Sequence, residues 1–173
     1  MTAFRAVVLA CSALALAGCS NGSRDVSPTT TTSATTTAEQ PTPEELEQSA
    51  RAALDANHRL SVFVLWHNRV PAWASRSTDG PALVALRSAA ATRRARGIRA
   101  RLLSDRRRVV SFRLDPSYTK ATATVVDRQR VQPSGRKGKP LGRTVVLSER
   151  ATYELRRVGR TSRFVVWRVV LRR

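Results

Sequence analysis

The chain has 173 residues, with 31 Lys and Arg against 12 Asp and Glu, only two Cys, and 42% hydrophobic residues. This length fits one domain plus a tail, and the apolar content suffices for a buried core, which excludes wholesale disorder. Two Cys exclude a disulfide framework and a multi-cysteine metal centre, and the two His have the wrong spacing for a Cys₂His₂ zinc site. No Gly-rich phosphate loop or nucleophile elbow occurs, so we expect no metal and no cofactor.

The positive charge lies in the C-terminal half of the chain. Of the basic residues, 28 are Arg and three are Lys, at Lys120, Lys137 and Lys139. Residues 20–79 carry five Arg and seven acidic residues, whereas residues 80–173 carry 25 basic and five acidic residues, a net charge of +20. Any binding that depends on charge is therefore expected from the C-terminal half. A biased genomic base composition is the alternative explanation of the Arg excess.

Residues 1–18 are predicted to be a lipoprotein signal peptide. Arg5 precedes an apolar run over residues 6–16, which is too short to span a bilayer but has the length of a secretory core. The run ends in Leu16-Ala17-Gly18-Cys19, which resembles the bacterial lipobox. There the Cys thiol accepts diacylglycerol, and small residues before it admit the peptidase. We therefore predict lipidation of Cys19 and a location on the outer face of the cytoplasmic membrane. An ordinary cleaved signal is the alternative.

Residues 19–41 are predicted to be the acylated Cys followed by a disordered linker. Eleven of the 22 residues from Ser20 to Pro41 are Ser or Thr, and none is aromatic. Such a composition cannot offset the entropy cost of ordering the chain. We expect a flexible stalk, either O-glycosylated or an unmodified spacer.

The segment 42–97 is predicted to form two helices. Thr42-Pro43-Glu44-Glu45 has the sequence of a capping box, and apolar residues follow at helical spacing as far as Leu60. From Leu60 to Trp66 the chain is apolar on all sides, which favours a buried helix end, with a buried strand as the alternative. Asp79, with Pro81 after it, predicts a second helix that ends at Gly97.

Beyond the second helix the period of the apolar residues changes to two, as in strands. Two short strands are predicted at Ile98–Leu103 and Val109–Leu114. Alternation over 121–128 and 145–156 predicts half-buried antiparallel strands, and Phe164–Leu171 is apolar on both faces, which predicts a central strand. The expected fold class is α+β, with the N-terminal helices packed on a curved, cone-like antiparallel sheet of four to five strands.

This order of elements, with the Ala121–Arg128 strand and the closing strand Phe164–Val170, resembles the nuclear transport factor 2-like (cystatin-like cone) superfamily. Over residues 42–173 the chain is similar to small secreted actinobacterial lipoproteins and to Mce-associated proteins of that superfamily. The resemblance implies a cone with an apolar pocket, used variously for catalysis, ligand binding or dimerisation, and it implies no single function.

Enzymes of this superfamily place a carboxylate inside the cone, often with a His or Tyr. The residues of these types here are Asp127, His58, His67, Tyr118 and Tyr153. Four of the five, all but Tyr118, have a simpler explanation. Arg128 and Arg130 beside Asp127 favour a solvated ion pair, and Asp55 at i−3 favours a surface pair with His58.

His67 follows Trp66 at the predicted helix end, where a cation is favourable without any function, and Tyr153 alternates with core residues. We therefore expect no catalytic residues, and Asp127, Tyr153 and His58 are the weak candidates.

Basic clusters predict a polyanion-binding surface, formed by Arg106, Arg107, Arg108, Arg136, Lys137 and Lys139. We expect these residues, and the pair Arg156-Arg157, to lie at strand ends or turns and to gather on one edge of the domain. The export signal and the lack of interleaved aromatic residues argue against nucleic acid as a partner. Anionic lipid headgroups and acidic wall polymers remain as partners, and a merely solvated Arg-rich surface is the alternative.

These features predict a non-enzymatic cell-envelope lipoprotein, anchored by lipid to the membrane, that binds a partner protein, a lipid or an apolar ligand. Two alternatives remain. One is a small-molecule enzyme of the cone fold, and the other is an accessory subunit of an envelope transport complex, as the resemblance to Mce-associated proteins implies.

Overall fold

A computed structural model describes residues 40–172. The predicted signal peptide, Cys19 and the predicted linker as far as residue 39 lie outside the described residues. The described part is an α+β fold in which two helices, α1 (Pro43–His67) and α2 (Gly80–Ala95), pack on a four-stranded antiparallel sheet. A short 3-10 helix, Ala72–Arg76, lies between the helices.

The sheet is an up-and-down meander in which neighbours in sequence are neighbours in space. Its order is β1-β2-β3-β4, all antiparallel. The strands are β1 (Arg99–Leu114), β2 (Lys120–Ser134), β3 (Val145–Arg157) and β4 (Phe164–Arg172). Because no strand crosses over another, each strand–turn–strand unit pairs locally, as short connections favour.

The capping box predicted for α1 is confirmed. The Thr42 N–H donates to the Glu45 carboxylate at 2.8 Å, and the Glu45 N–H donates to the Thr42 hydroxyl at 3.3 Å. The helix continues to His67 and ends at Asn68 in the left-handed conformation (φ 51°). The helical interpretation of Leu60–Trp66 is therefore right and the strand alternative is wrong. Only Leu60 and Val64 of that stretch are fully buried.

The predicted start and end of α2 are also confirmed. The Asp79 carboxylate accepts a hydrogen bond from the Gly80 N–H at 2.7 Å, and the helix ends just before Gly97, whose φ is +65°. A buried hydrogen bond of 2.7 Å from the Asn57 amide to the Thr78 hydroxyl joins α1 to the segment that enters α2. Since both groups are buried and satisfied, this bond fixes where α2 begins.

The core consists of two apolar clusters. The larger one joins the first half of α1 to the sheet through Leu46, Ala50, Ala53, Leu54, Ala82, Ala121, Ala123, Leu155, Phe164 and Val166. The smaller one joins the second half of α1 to α2 through Leu60, Val64, Ala74, Leu83 and Ala90. The predicted alternation over 121–128 is confirmed, because Ala121, Ala123 and Val125 are buried against the helices.

Three predictions about the strands were wrong. The two short strands predicted before residue 115 are one strand, β1, whose pairing with β2 shifts register at Leu102/Ser104 and at Val109/Ser111. A bulge at each shift interrupts the period-two alternation of apolar residues. The sequence pattern therefore suggests two strands, although the backbone continues as one. The predicted central strand is the edge strand β4, and its residues Val169–Leu171 are exposed. Val145 and Leu147 of β3, predicted to be half-buried, are 44% and 39% exposed.

Candidate functional site

The sheet has a helix-facing side and an opposite side, which we call the open face. Residues Ala121, Ala123 and Val125 of β2 are buried beneath the helices. Because side chains alternate along a strand, Arg128 and Arg130 project from the open face, and both are exposed. The same alternation puts Arg150, next to buried Ala151, on the open face of β3.

Strand pairing brings arginines of three strands together on the open face. Arg106 of β1 lies directly opposite Arg128 of β2. Arg108 lies in the next row of that face, in register with Val126 of β2 and then Arg150 of β3. We call Arg106, Arg108, Arg128, Arg130 and Arg150 the arginine face. All five are exposed, and no carboxylate of residues 40–172 lies within salt-bridge distance of them.

Exposed aliphatic residues border these arginines. Val146 pairs with Arg130 and is 54% exposed, and Val170 of β4 is also exposed on the open face. Leu103 and Val110 are exposed at the two bulges of β1. The acidic residue that alternation places on this face is Glu154, whose carboxylate lies 4.0 Å from Arg168. The described open face is therefore cationic and apolar at once.

The arginine face costs stability in the free protein. Like charges directly opposite each other on neighbouring strands are destabilising, and Arg106 and Arg128 are such a pair. Since no carboxylate of residues 40–172 neutralises this charge, the sheet presents a surface that attracts an anion.

The predicted polyanion-binding residues fall into three places. Arg106 and Arg108 are exposed on the open face, but in the middle of β1, so the expectation of a strand end or turn was wrong for this cluster. Arg107 projects to the opposite, helix-facing side. The remaining three, Arg136, Lys137 and Lys139, are exposed in the turn that follows β2.

The pair Arg156-Arg157 lies at the end of β3, as expected, and each residue has an intramolecular contact. The Arg156 guanidinium lies over the Trp167 ring at 4.0 Å from its centroid, a cation–π contact. The Arg157 side chain donates to the Thr161 carbonyl at 2.5 Å and to the Arg160 carbonyl at 3.1 Å. Arg157 therefore stabilises the turn before β4 through these hydrogen bonds.

Arg107 is the centre of a half-buried ionic cluster between α1 and the sheet. Its side chain is 12% exposed, and its Nε lies 3.6 Å from Oδ1 of Asp127, which is directly opposite on β2. Its Nη1 donates to the Leu54 carbonyl at 3.2 Å and to the Asp55 carboxylate at 3.4 Å, both on α1. One guanidinium thus joins two strands and a helix, as its fork of donors allows.

The second pair of this cluster is His58 and Asp105. His58 Nε2 lies 2.6 Å from the Asp105 carboxylate, and the two side chains are 21% and 19% exposed. The sequence predicted Asp55 as the partner of His58, and that was wrong, because Asp55 contacts Arg107. The predicted solvated pair of Asp127 with Arg128 or Arg130 was also wrong. Arg128 and Arg130 project from the open face, whereas Asp127 lies on the helix-facing side, where its ionic partner is Arg107.

Burial changes the acidity of two candidate residues. Desolvation raises the pKa of Asp127 above its ordinary value, and the guanidinium of Arg107 opposes part of that rise. Desolvation likewise raises the pKa of the Tyr153 phenol, whose ring lies 5.7 Å from the Arg107 guanidinium carbon. Tyr153 packs against the larger core cluster, so its predicted place as a core aromatic is confirmed.

The other two candidates lie outside this cluster. His67 is the last residue of α1, as predicted, and its ring stacks on Phe63 with the centroids 4.2 Å apart. Tyr118 is exposed in the β1–β2 turn with φ +55°. Two surface cavities of residues 40–172 have volumes of about 600 and about 200 Å³, and neither is lined by a candidate residue.

Within 40–172, no group of three or more His, Cys, Asp or Glu is placed to hold a metal ion. In the same part of the chain, no helix combines the length and the apolar character needed to cross a membrane.

Comparison with known proteins supports the fold. No family model matches the sequence, and the search of curated proteins found no match. The crystal structure of the intermembrane space region of chloroplast protein ARC6 is similar, with a TM-score of 0.58 and 15% sequence identity. The similarity covers 72% of this chain and 95% of that one. At this identity the likeness shows the fold alone.

Sequence reasoning missed three members of the arginine face, Arg128, Arg130 and Arg150. Consecutive basic residues on a strand face opposite sides of the sheet, whereas a strand gathers charge on one face at every second position. Arg128-Gln129-Arg130 and Arg106-Arg107-Arg108 both carry that signal at i and i+2. Reading each strand at period two would have found the first two residues and would have separated Arg107 from its neighbours.

Proposed function

We propose that this protein is a non-enzymatic cell-envelope lipoprotein whose domain binds anionic lipid bilayers through the arginine face. The observation that carries the proposal is the open face of the sheet, where five exposed arginines without carboxylate partners among residues 40–172 lie beside exposed aliphatic side chains. Guanidinium groups recognise phosphate with paired donors, and each basic residue near an anionic surface contributes about 1 kcal/mol.

A bilayer fits this face better than a nucleic acid does. Proteins that bind single strands use exposed aromatic rings on which bases stack. The arginine face has aliphatic neighbours instead, among them Val146 and Val170, which suit the boundary between headgroups and acyl chains. The Arg156 guanidinium lies over the Trp167 ring and so occupies one face of it.

The predicted N-terminal segments agree with this function. Acyl chains on Cys19 would hold the protein at the outer face of the cytoplasmic membrane. A coil of 22 residues has an end-to-end distance of about 25–30 Å, so a linker of the predicted kind would let the arginine face reach the same bilayer. The α+β order also fits the nuclear transport factor 2-like cone, to which we assign the domain as part of this proposal.

The test is binding of the full chain to vesicles of phosphatidylcholine with and without phosphatidylglycerol. All variants carry Cys19→Ser, so that acylation does not differ among them. We expect Arg106→Gln/Arg128→Gln to weaken binding to the anionic vesicles by about 30-fold, since two charges at about 1 kcal/mol each are removed. Binding should also fall with added salt, because surface electrostatics are screened.

The matched control is Arg94→Gln/Arg96→Gln, which removes the same charge from exposed positions at the C-terminal end of α2. It should bind within about twofold of the parent, because those residues lie outside the arginine face. Neutral vesicles measure what the N-terminal apolar residues contribute. Equal losses in the two double variants, or binding that ignores phosphatidylglycerol, would contradict the proposal. Tighter binding of an RNA oligonucleotide than of vesicles would contradict it too.

A further inference from the structure

We propose that the free edge of β4 binds an extended segment of a partner protein as an additional strand, and that this segment has acidic residues on both sides of an apolar centre. The site is Arg168–Arg172, at the edge of the sheet. Arg172 lies directly opposite Arg150 of the arginine face, but the site itself is the main-chain edge of β4, so the proposal goes beyond the proposed lipid binding.

The first half of this edge already pairs with an added segment. Thr78 and Val166 form a parallel bridge, in which the Val166 N–H donates to the Ser77 carbonyl at 2.8 Å and the Asp79 N–H donates to the Val166 carbonyl at 2.9 Å. From Arg168 to Arg172, β4 pairs with β3 on one side, and within residues 40–172 no strand pairs with the other. An open edge of this kind is a template for β-strand addition.

The side chains along the open edge are apolar on both sides of the sheet. Val169 and Leu171 lie on the helix-facing side, in register with Tyr153 and Ala151, and are 37% and 55% exposed. Val170 lies on the open face and is 38% exposed. A strand placed beside them would bury apolar surface on both faces, which main-chain pairing alone does not provide.

Charge determines the ends of the partner segment. Arg168 and Arg172 both lie on the open face, on either side of Val170. The Glu154 carboxylate lies 4.0 Å from Arg168, whereas Arg172 has a neutral partner, the Thr152 hydroxyl, at 3.0 Å. Opposite-charge pairs stabilise neighbouring strands. The complementary segment therefore has the order acidic, apolar, apolar, apolar, acidic, which is the same in the parallel and the antiparallel direction.

A second copy of β4 does not fit this edge. In an antiparallel pairing about a twofold axis at Val170, Arg168 of one copy would lie opposite Arg172 of the other. Both ends of the pair would then place like charges in direct opposition, which is destabilising. An acidic segment of another protein removes that conflict, so the charge favours a heterologous partner.

The experiment uses the acetylated, amidated peptide Ser-Gly-Glu-Val-Val-Val-Glu-Gly-Ser and its counterpart with both Glu replaced by Lys. Binding to the full chain carrying Cys19→Ser is measured by fluorescence anisotropy and located by hydrogen exchange with mass spectrometry. We expect the Glu peptide to bind at least about tenfold more tightly than the Lys peptide. It should slow exchange in the segment that contains 168–172, since added backbone hydrogen bonds protect amides.

Charge reversal separates this site from general attraction to a basic protein. Arg172→Glu should shift the preference toward the Lys peptide. The matched control is Arg94→Glu, which makes the same charge change at an exposed position of α2, outside both β4 and the arginine face, and it should leave the preference unchanged. Equal effects of the two variants, or protection outside β4, would overturn the proposal. Protection of β4 that depends on protein concentration without peptide would overturn it in favour of self-association.

Discussion

Arg107 and Asp127 lie directly opposite each other on β1 and β2, with Nε and Oδ1 3.6 Å apart on the helix-facing side of the sheet. The guanidinium also reaches the Leu54 carbonyl and the Asp55 carboxylate, so α1 is attached to the sheet through this pair. Its neighbours Arg106 and Arg108 project from the opposite face. Three consecutive arginines thus divide between an internal role and an external one.

Removal of Arg107 should destabilise the domain far more than removal of its neighbour. Arg107→Met leaves the Asp127 carboxylate buried without its partner, and we expect a loss of about 3 kcal/mol in the free energy of unfolding. Arg106→Met should be neutral or slightly stabilising, because it relieves the opposition to Arg128. Urea denaturation followed by circular dichroism measures both. Equal effects of the two substitutions would show that the ionic cluster contributes nothing specific.

Asp127 should make stability depend on pH in an unusual direction. Burial raises the pKa of this carboxyl above its ordinary value of 3.8, so the folded protein takes up the proton before the unfolded chain does. Its unfavourable contribution is present above the raised pKa and disappears as the pH falls toward 3.8.

The measurement is the free energy of unfolding of the parent minus that of Asp127→Asn, followed from neutral pH downward. This difference should become more favourable to the parent as the pH falls from the raised pKa of Asp127 toward 3.8, because only the parent loses a buried charge in that range. A difference that is flat, or that falls, would contradict the raised pKa.

How much of the fold and of the ionic cluster could be predicted from the sequence depends on the distance along the chain over which each feature acts. The helix starts at Thr42 and Asp79 were predictable, because a cap is a local hydrogen bond. The edge position of β4 was not, since a strand that is apolar on both faces looks the same whether a neighbour or solvent covers it. The partners of His58 and Asp127 were not predictable either, because both lie on other elements and depend on the register of β1.

The β1–β2 turn should show the opposite pH dependence from Asp127. The Asp115 carboxylate accepts hydrogen bonds from the Thr119 and Lys120 N–H groups, both at 2.9 Å, and from the Ser117 hydroxyl at 2.6 Å. The Ser117 hydrogen bond is the largest of the effects that lower the pKa of Asp115. The contribution of the Asp115 carboxylate to the free energy of unfolding is therefore complete above the ordinary pKa of 3.8 and is lost as the pH falls through the lowered pKa.

Asp115→Ala should cost about 1 kcal/mol at neutral pH, because the site is exposed and water replaces part of what is lost. The cost should shrink in acid, because protonation removes the contribution of Asp115 from the parent, while Asp115→Ala has no carboxyl to titrate. Thermal denaturation at several pH values checks this, and a cost that grows in acid would be the contrary result.

The arginine face predicts that stability and lipid binding change in opposite directions. Arg128→Thr removes the charge opposite Arg106 and puts a β-branched residue on an exposed strand position, so the free energy of unfolding should rise by about 0.5 kcal/mol. The same substitution should weaken binding to phosphatidylglycerol vesicles by about fivefold, since one charge of about 1 kcal/mol is lost. Arg96→Thr, in the segment after α2, should show neither effect. If Arg128→Thr gained stability but kept its lipid binding, the arginine face would not be the lipid-binding surface.

The first turn of α2 should tolerate no side chain at Gly80. Its φ is +52°, and a Cβ there would lie 2.6 Å from Cε3 of Trp167, the ring on which Arg156 stacks. Gly138 is the matched control, because its φ is +76° and a Cβ there would meet nothing within 4 Å. Gly138→Ala should therefore cost only the left-handed strain, about 1 kcal/mol, and Gly80→Ala should cost clearly more. Equal losses in the two variants, measured by urea denaturation, would mean that Trp167 yields without cost and does not fix the start of α2 against β4.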